Sequence, residues 1–142
     1  MPQSTTMSRK QYQIFSVETE QFATFPLPET DSKRVQVTIG LDLKLNDEKR
    51  HIICTFDVSI RLLDEIIIKL RVKCSYSIQP EIWNIWIDAK SGEPDVPLDF
   101  VEHIGDLTMA TARGILHTKT ENTKYNTFMV PVMDFKDAIT PN

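Results

Sequence analysis

Polar and apolar residues alternate regularly through the middle of the chain. Apolar side chains occupy the odd positions from Arg34 to Leu45, and the even positions from Ile52 to Leu62 and from Ile66 to Ile78. Period-two alternation is typical of strands that have one buried and one solvated face. Short polar reversals, 46–50 and 63–65, separate the three runs. The pattern therefore predicts an antiparallel meander.

A first strand precedes this meander. Residues from Tyr12 to Phe22 alternate well enough for a strand, with Phe15, Val17 and Thr19 on one face. The following segment, 25–31, contains two prolines, which remove the N–H groups that a strand interior needs. We therefore interpret this segment as a crossover connection that is too long for a simple hairpin.

A single long helix is predicted after the strands. Pro97 suits its start because proline needs no N–H there, and Asp99 favours the positive end of the helix dipole. Apolar side chains then recur at steps of three and four, which places them on one helical face. They are Leu98, Val101, Ile104, Leu107 or Thr108, Ala112 and Ile115. The spacing predicts a helix from about Leu98 to about His117, and hence an α+β fold: a four-stranded antiparallel sheet with a long helix packed on one face.

The apolar face of this helix is wider than one sheet can cover. Met109, Ala110 and Ala112 extend it beyond a single stripe. Such width predicts helix contacts between subunits, and an unpaired first strand offers a second contact. We expect a homo-oligomer, a tetramer in preference to a dimer.

Length and charge narrow the class of protein. The chain has 142 residues and a formal net charge of −4, which suits one domain and disfavours nucleic acid as a partner. We expect a disordered tail over residues 1–11 and a single domain over 12–142. The chain contains no apolar run of about 18 residues, so membrane insertion is not expected. The polar N-terminus lacks the apolar region of a signal peptide, which points to the cytoplasm.

The two cysteines, Cys54 and Cys74, occupy positions on the apolar face of their predicted strands. Two buried, reduced thiols that pack as small hydrophobes are the favoured interpretation. A disulfide between neighbouring strands is the alternative.

Both tryptophans lie in one predicted loop, Gln79–Val96. Trp83 and Trp86 are accompanied there by Ile82, Ile85 and Ile87. One interpretation is that they cap the end of the core. The other is that they form an apolar surface that a partner covers.

Catalytic and metal-binding motifs are absent from the sequence. It contains no Cys-x-x-Cys, no His-Glu-x-x-His and no glycine-rich phosphate loop. We therefore expect no enzyme activity, no metal and no cofactor. An alternative is a small hot-dog-like enzyme or ligand carrier, for which Asp99, Glu102 and His103 are the candidates at the helix start. A third possibility is an assembly protein that kept the fold without client binding.

Two segments near the C-terminus resemble a known family. The predicted helix contains Thr111-Ala112-Arg113-Gly114, and the apolar segment 128–135 reads Phe-Met-Val-Pro-Val-Met-Asp-Phe. Together with the order of the elements, they resemble the SecB family of export chaperones, including SecB-like proteins associated with toxin–antitoxin systems. The family has Pro-Val-Asn-Phe where this chain has Met133-Asp134 before Phe135. The resemblance covers about Phe15 to Ile139.

The resemblance implies a holdase that binds unfolded or extended polypeptides in long apolar grooves, assembled as a dimer of dimers. The clients would serve protein export or be specific, such as an antitoxin. The polypeptide-binding residues that we predict on this basis come from the crossover, the tryptophan loop and the C-terminal segment. They are Phe22, Phe25, Leu27, Ile82, Trp83, Trp86, Met129, Met133 and Phe135.

Two departures from the family concern the motor protein SecA. Members that dock on SecA present an acidic outer sheet face and a longer C-terminal tail. Glu18 and Glu20 fit this description, but Lys69, Arg71 and Lys73 make the matching face of the fourth strand basic. We also expect the second helix to be short or missing, so SecA docking is not predicted.

Overall fold

The computed structural model describes residues 11–131 and 133–135. Four strands are followed by a short helix, a long helix and a 3₁₀ turn. Their bounds are β1 Tyr12–Thr24, β2 Val35–Asn46, β3 His51–Leu62, β4 Glu65–Ile78, α1 Pro80–Trp86, α2 Leu98–Thr120 and the 3₁₀ turn Lys124–Thr127. The strands form one antiparallel sheet in the order β1-β4-β3-β2. The predicted fold class is confirmed.

The predicted meander is formed by β2, β3 and β4. β2 and β3 pair without interruption from Val35 opposite Leu62 to Asn46 opposite His51. The turn into β4 consists of Leu63 and Asp64, both with a left-handed backbone (φ 50° and 69°). Positive φ at both central residues matches the right-handed twist of the flanking strands, which is why such turns join hairpins tightly.

The core lies between α2 and the inner face of β3 and β4. Their even-numbered residues from Ile52 to Leu62 and from Ile68 to Ile78 are buried, as the alternation predicts. The hydroxyl groups of Thr108 on α2 and Tyr76 on β4 hydrogen bond at 2.9 Å inside this layer. This bond satisfies two buried polar groups and fixes how α2 lies on the sheet.

Strand β1 is less regular than predicted. Its pairing with β4 shifts register between Ile14 and Ser16, and again between Thr19 and Gln21. An extra residue at each shift reverses the alternation, so Val17 faces the helix layer opposite Cys74. Phe15 does not share that face: its ring lies 4.6 Å from the ring of His51. The prediction that Phe15 lies on the same face as Val17 and Thr19 is therefore wrong, because a bulge separates them.

The segment predicted as a loop before α2 contains the helix α1. Pro80 occupies its first turn and Glu81 follows, a combination that suits a helix start. Trp83 and Trp86, three residues apart, then fall on the buried side of the helix. The loop prediction was wrong because it gave no weight to Pro-Glu as a helix-start signal.

Cys54 and Cys74 are free, fully buried and directly opposite each other on β3 and β4. Burial raises the pKa of the Cys54 thiol to about 11 and also raises the pKa of Cys74. Both therefore remain neutral thiols at physiological pH, as predicted for small hydrophobes.

Two predictions about the termini concern residues outside the described ones, namely the tail over residues 1–10 and the short or missing second helix after Phe135. Gln11, the last residue of the predicted tail, accepts a hydrogen bond from the backbone N–H of Gln79 at 2.9 Å.

Candidate functional site

Two groups of the predicted site residues lie at opposite ends of α2. Trp86 packs against Phe100 in the first turn of α2, at a ring distance of 5.3 Å. Phe22 lies beneath the last turn, where the Lys119 ammonium is 5.5 Å from its ring. The 19 residues from Phe100 to Lys119 span about 28 Å of helix. The tryptophans and the crossover aromatics are therefore not neighbours.

The tryptophan end is part of the core. Trp83 is 2% exposed and Trp86 is 9% exposed. The indole N–H of Trp83 donates to Oδ1 of Asp47 at 2.6 Å, so the buried polar atom of the ring has a partner. Ile82 is half-buried beside them. This packing matches the interpretation that the tryptophans cap the core.

The crossover leaves β1 at the opposite end of the sheet. The N–H of Phe25 donates to the carbonyl of Ile67 at 2.9 Å, which extends the pairing of β1 with β4 by one bond. The carbonyl of Phe25 accepts from the Tyr125 hydroxyl at 2.5 Å. These two bonds fix the backbone while the Phe25 side chain stays 39% exposed. Leu27 is half-buried next to it.

The C-terminal segment packs with alternate side chains. Phe128 and Val130 are each 3% exposed, whereas Met129 between them is 43% exposed. Further along, Phe135 is buried and its N–H donates to Oδ1 of Asp106 at 2.7 Å. Phe135 thus ties the end of the described chain to α2.

Phe135 occupies a notch in α2 that exists because residue 105 is glycine. A Cβ atom built on Gly105 would lie 2.0 Å from Cδ2 of Phe135, far inside contact distance. Any other residue at this position would therefore displace the ring. Met133, two residues earlier, is half-buried.

We define the crossover surface by residues of two segments, the crossover and the stretch after α2, which the hydrogen bond from Tyr125 to Phe25 joins at this end of the sheet. These residues are Phe22, Phe25, Leu27, Tyr125 and Met129. Tyr125 is not among the site residues predicted from the sequence, because it lies in the polar stretch between the predicted end of the helix at His117 and the apolar segment 128–135. Its only signal was an aromatic residue within that polar segment.

The outer face of the sheet carries charges that are paired with each other. The Lys73 ammonium lies 3.3 Å from a Glu18 carboxylate oxygen and 3.5 Å from one of Glu20. Arg71 pairs with Asp57 at 2.6 Å. Hydrogen bonding to Glu18 raises the pKa of Lys73, and hydrogen bonding to Asp57 raises the pKa of Arg71. The predicted basic stripe is therefore largely neutralised by neighbouring strands.

One of the residues suggested for an enzyme site, His103, contacts the first strand. Nε2 of His103 hydrogen bonds to the Tyr12 hydroxyl at 2.6 Å, and the Tyr12 ring packs edge-on to Phe100. This arrangement ties β1 to α2. Within residues 11–131 and 133–135, no three His, Cys, Asp or Glu side chains converge as they would around a metal ion.

Exposed apolar side chains lie on both faces of β1. Ile14 and Val17, on the helix side, are exposed by 49% and 44%, and Phe15, on the outer side, is exposed by 65%. β1 is an edge strand, and among the described residues only β4 pairs with it. None of the helices in the described part of the chain has the length and apolarity needed to cross a membrane.

Comparison with known proteins supports the fold. No protein-family model matches the sequence, and no curated protein matches it significantly. The structure is similar to that of the SecB-like chaperone Rv1957 of Mycobacterium tuberculosis, solved in complex with a ChAD peptide from the antitoxin HigA1 (Rv1956). The TM-score is 0.58 at 7% sequence identity, and the match covers 88% of this chain and 91% of that chain. At this identity, the likeness establishes that the chain has a SecB-like fold.

Proposed function

We propose that this protein is a SecB-like chaperone that holds extended segments of unfolded polypeptides at the crossover surface. The observation that carries the proposal is the exposure of Phe25 and Met129, by 39% and 43%, on a fold shared with a chaperone that was solved with a bound peptide. The backbone around Phe25 is fixed by two hydrogen bonds. The exposed side chain is therefore presented to a partner on a rigid support.

The composition of this surface suits clients of varied sequence. Met129 is flexible and polarisable, so it adapts to side chains of different shape. Burying one large apolar client side chain gains about 1.5–3 kcal/mol, and ordering a disordered client opposes much of that gain. The balance favours reversible binding, which a holdase needs in order to release its client.

The assembly that we propose uses β1. The free edge of this strand would pair with the same strand of a second copy, which would also cover Ile14 and Val17 on one face and Phe15 on the other. Such a pair is the first step toward the predicted dimer of dimers. It also leaves the crossover surface, at the far end of β1, open to clients.

The clients that we propose are recognised by their chemistry, as extended chains rich in apolar residues. A precursor awaiting export and an antitoxin segment both meet this description. No enzymatic step is part of the proposal, and neither is docking on SecA.

The experiment compares two matched double variants in a holdase assay. Phe25→Ser with Met129→Ser removes the apolar side chains of the crossover surface. Ile85→Ser with Leu98→Ser removes two residues that are more exposed (75% and 67%) but lie at the tryptophan end. Aggregation of a denatured model substrate is followed by light scattering, and the mass of each variant is measured in solution.

We expect the wild-type protein and the Ile85/Leu98 variant to suppress aggregation equally. The Phe25/Met129 variant should lose most of this activity while keeping the wild-type mass and melting temperature. If the wild-type protein does not suppress aggregation, the proposed holdase function is refuted. If the Phe25/Met129 variant keeps full activity, clients do not bind at the crossover surface.

A further inference from the structure

Three lysines in or next to the two segments that form the crossover surface each have an ammonium within 6.0 Å of the centre of an aromatic ring. The ammonium of Lys119 is 5.5 Å from the ring of Phe22, and that of Lys33 is 6.0 Å from the ring of Phe128. Lys124 lies 5.7 Å from the ring of Tyr125. Attraction between an ammonium and the face of a ring holds the cation close to apolar surface. Positive charge is thus built into the rim of this surface.

These lysines differ from the cations of the outer sheet face. Lys73 and Arg71 are within 3.5 Å of carboxylates. In the described part of the chain, Lys33, Lys119 and Lys124 form no ion pair. Their charges are therefore available to a ligand that brings its own carboxylates.

The acidic residues nearby offset this charge only in part. A carboxylate oxygen of Glu121 lies 3.5 Å from Nε2 of His117, which forms an ion pair when the imidazole is protonated. Glu29 and Asp31 are exposed in the crossover, where Arg34 adds a further cation. The two segments, 25–34 and 119–128, hold four basic and three acidic side chains, in a chain whose formal net charge is −4. This end is therefore positive relative to the rest of the protein.

We propose that the preferred clients of the crossover surface are extended segments in which aromatic or aliphatic residues are flanked by aspartate or glutamate. This inference rests on the proposed holdase function and adds the class of sequence that it selects. Apolar client side chains would lie on Phe25 and Met129, while flanking carboxylates would reach the lysine ammoniums. Charge complementarity of this kind adds specificity and speeds encounter more than it adds affinity.

The expected size of the effect follows from the exposure of all three lysines. An exposed ion pair changes binding by about two- to fivefold. Three such contacts together should favour an acidic client over a neutral one by roughly tenfold at low salt. Raising the ionic strength to about 0.3 M should remove most of that preference, because exposed charges are screened.

The test uses three labelled peptides that share one apolar core and carry acidic, neutral or basic flanks. Affinities are measured by fluorescence anisotropy at low and high salt. The charge variant combines Lys33→Gln, Lys119→Gln and Lys124→Gln. It should bind the acidic and the neutral peptide with equal affinity. A second variant with arginine at these three positions should keep the preference, which guards against an effect of misfolding.

The matched control combines Lys44→Gln, Lys49→Gln and Lys90→Gln. These lysines are exposed and away from the crossover, and their loss changes the net charge equally. The control should keep the full preference for the acidic peptide; an equal loss in the control would refute the assignment to the crossover lysines. If the wild-type protein binds the neutral or the basic peptide as tightly as the acidic one, or more tightly, the proposed charge preference is wrong. The proposed holdase function would still stand. Failure to bind any of the three peptides would overturn the holdase itself.

Discussion

Replacing Gly105 with alanine should destabilise the protein, which is unusual for a glycine inside a helix. Alanine normally stabilises such a position by about 1 kcal/mol, because it restricts the unfolded chain and favours helical geometry. Here the added Cβ would lie 2.0 Å from Cδ2 of Phe135. The helix backbone cannot move away from the sheet without opening the core, so the ring must leave its notch.

The magnitude follows from what Phe135 loses. Its ring is 5% exposed in the fold, and exposing it costs about 1.5–3 kcal/mol. The hydrogen bond from its N–H to Asp106 contributes about 1 kcal/mol more. Alanine in place of glycine gains about 1 kcal/mol in the helix, which offsets part of this loss. The unfolding free energy should therefore fall by about 2 kcal/mol.

Urea denaturation followed by circular dichroism measures this loss, and Gly114→Ala is the matched control. Gly114 lies in the same helix, and a Cβ there would meet nothing within 4 Å. It should therefore stabilise by about 1 kcal/mol. In a Phe135→Ala background the clash is gone, so Gly105→Ala should then stabilise as well. The reasoning is refuted if Gly105→Ala stabilises the otherwise unchanged protein as much as Gly114→Ala does.

Three further outcomes are expected. Trp83→Ala should lower the unfolding free energy by about 3–5 kcal/mol, because it empties a buried site; a normal melting temperature with lost client binding would instead place the indole in the site. Cys54 and Cys74 should resist a thiol reagent at pH 8 until urea unfolds the protein, since burial raises the pKa of both thiols; rapid labelling of the folded protein would contradict this. Burial lowers the pKa of His51 from 6.5, so the fold favours its neutral form, and unfolding free energy should fall as pH drops below 6.5. His51→Gln should flatten that dependence, and an unchanged pH profile would exclude His51 as its source.

The sequence was most informative where one physical signal dominated. Alternation over β2, β3 and β4 predicted both the strands and their buried faces, because a one-residue slip would expose every apolar side chain. The start of α2 at Leu98 was also predicted. In β1, by contrast, two bulges break the period, and nothing in the order of residues shows where they fall.

The candidate site was harder to predict, because it depends on which ends of the elements meet. Trp83 and Phe25 belong to segments that flank the sheet, but β1 pairs with β4, and this places the two residues at opposite ends of the sheet. The role of Tyr125 depends on a hydrogen bond to Phe25, one hundred positions away. Contacts over that distance in sequence leave no local pattern.

The pairing of β1 with β4 has a consequence for synthesis on the ribosome. Tyr12 pairs with Ile78, and Thr24 pairs with Ile68, so the first strand made joins the sheet last. Each strand of the meander, by contrast, pairs with the strand that precedes it, and such local pairings close quickly. At about 5–20 residues per second, the 44 residues between Thr24 and Ile68 take roughly 2–9 s to add. During that interval the nascent β1 is an extended segment that exposes apolar side chains and lacks its partner strand. The proposed holdase function would make this segment a client for mature copies of the same chain.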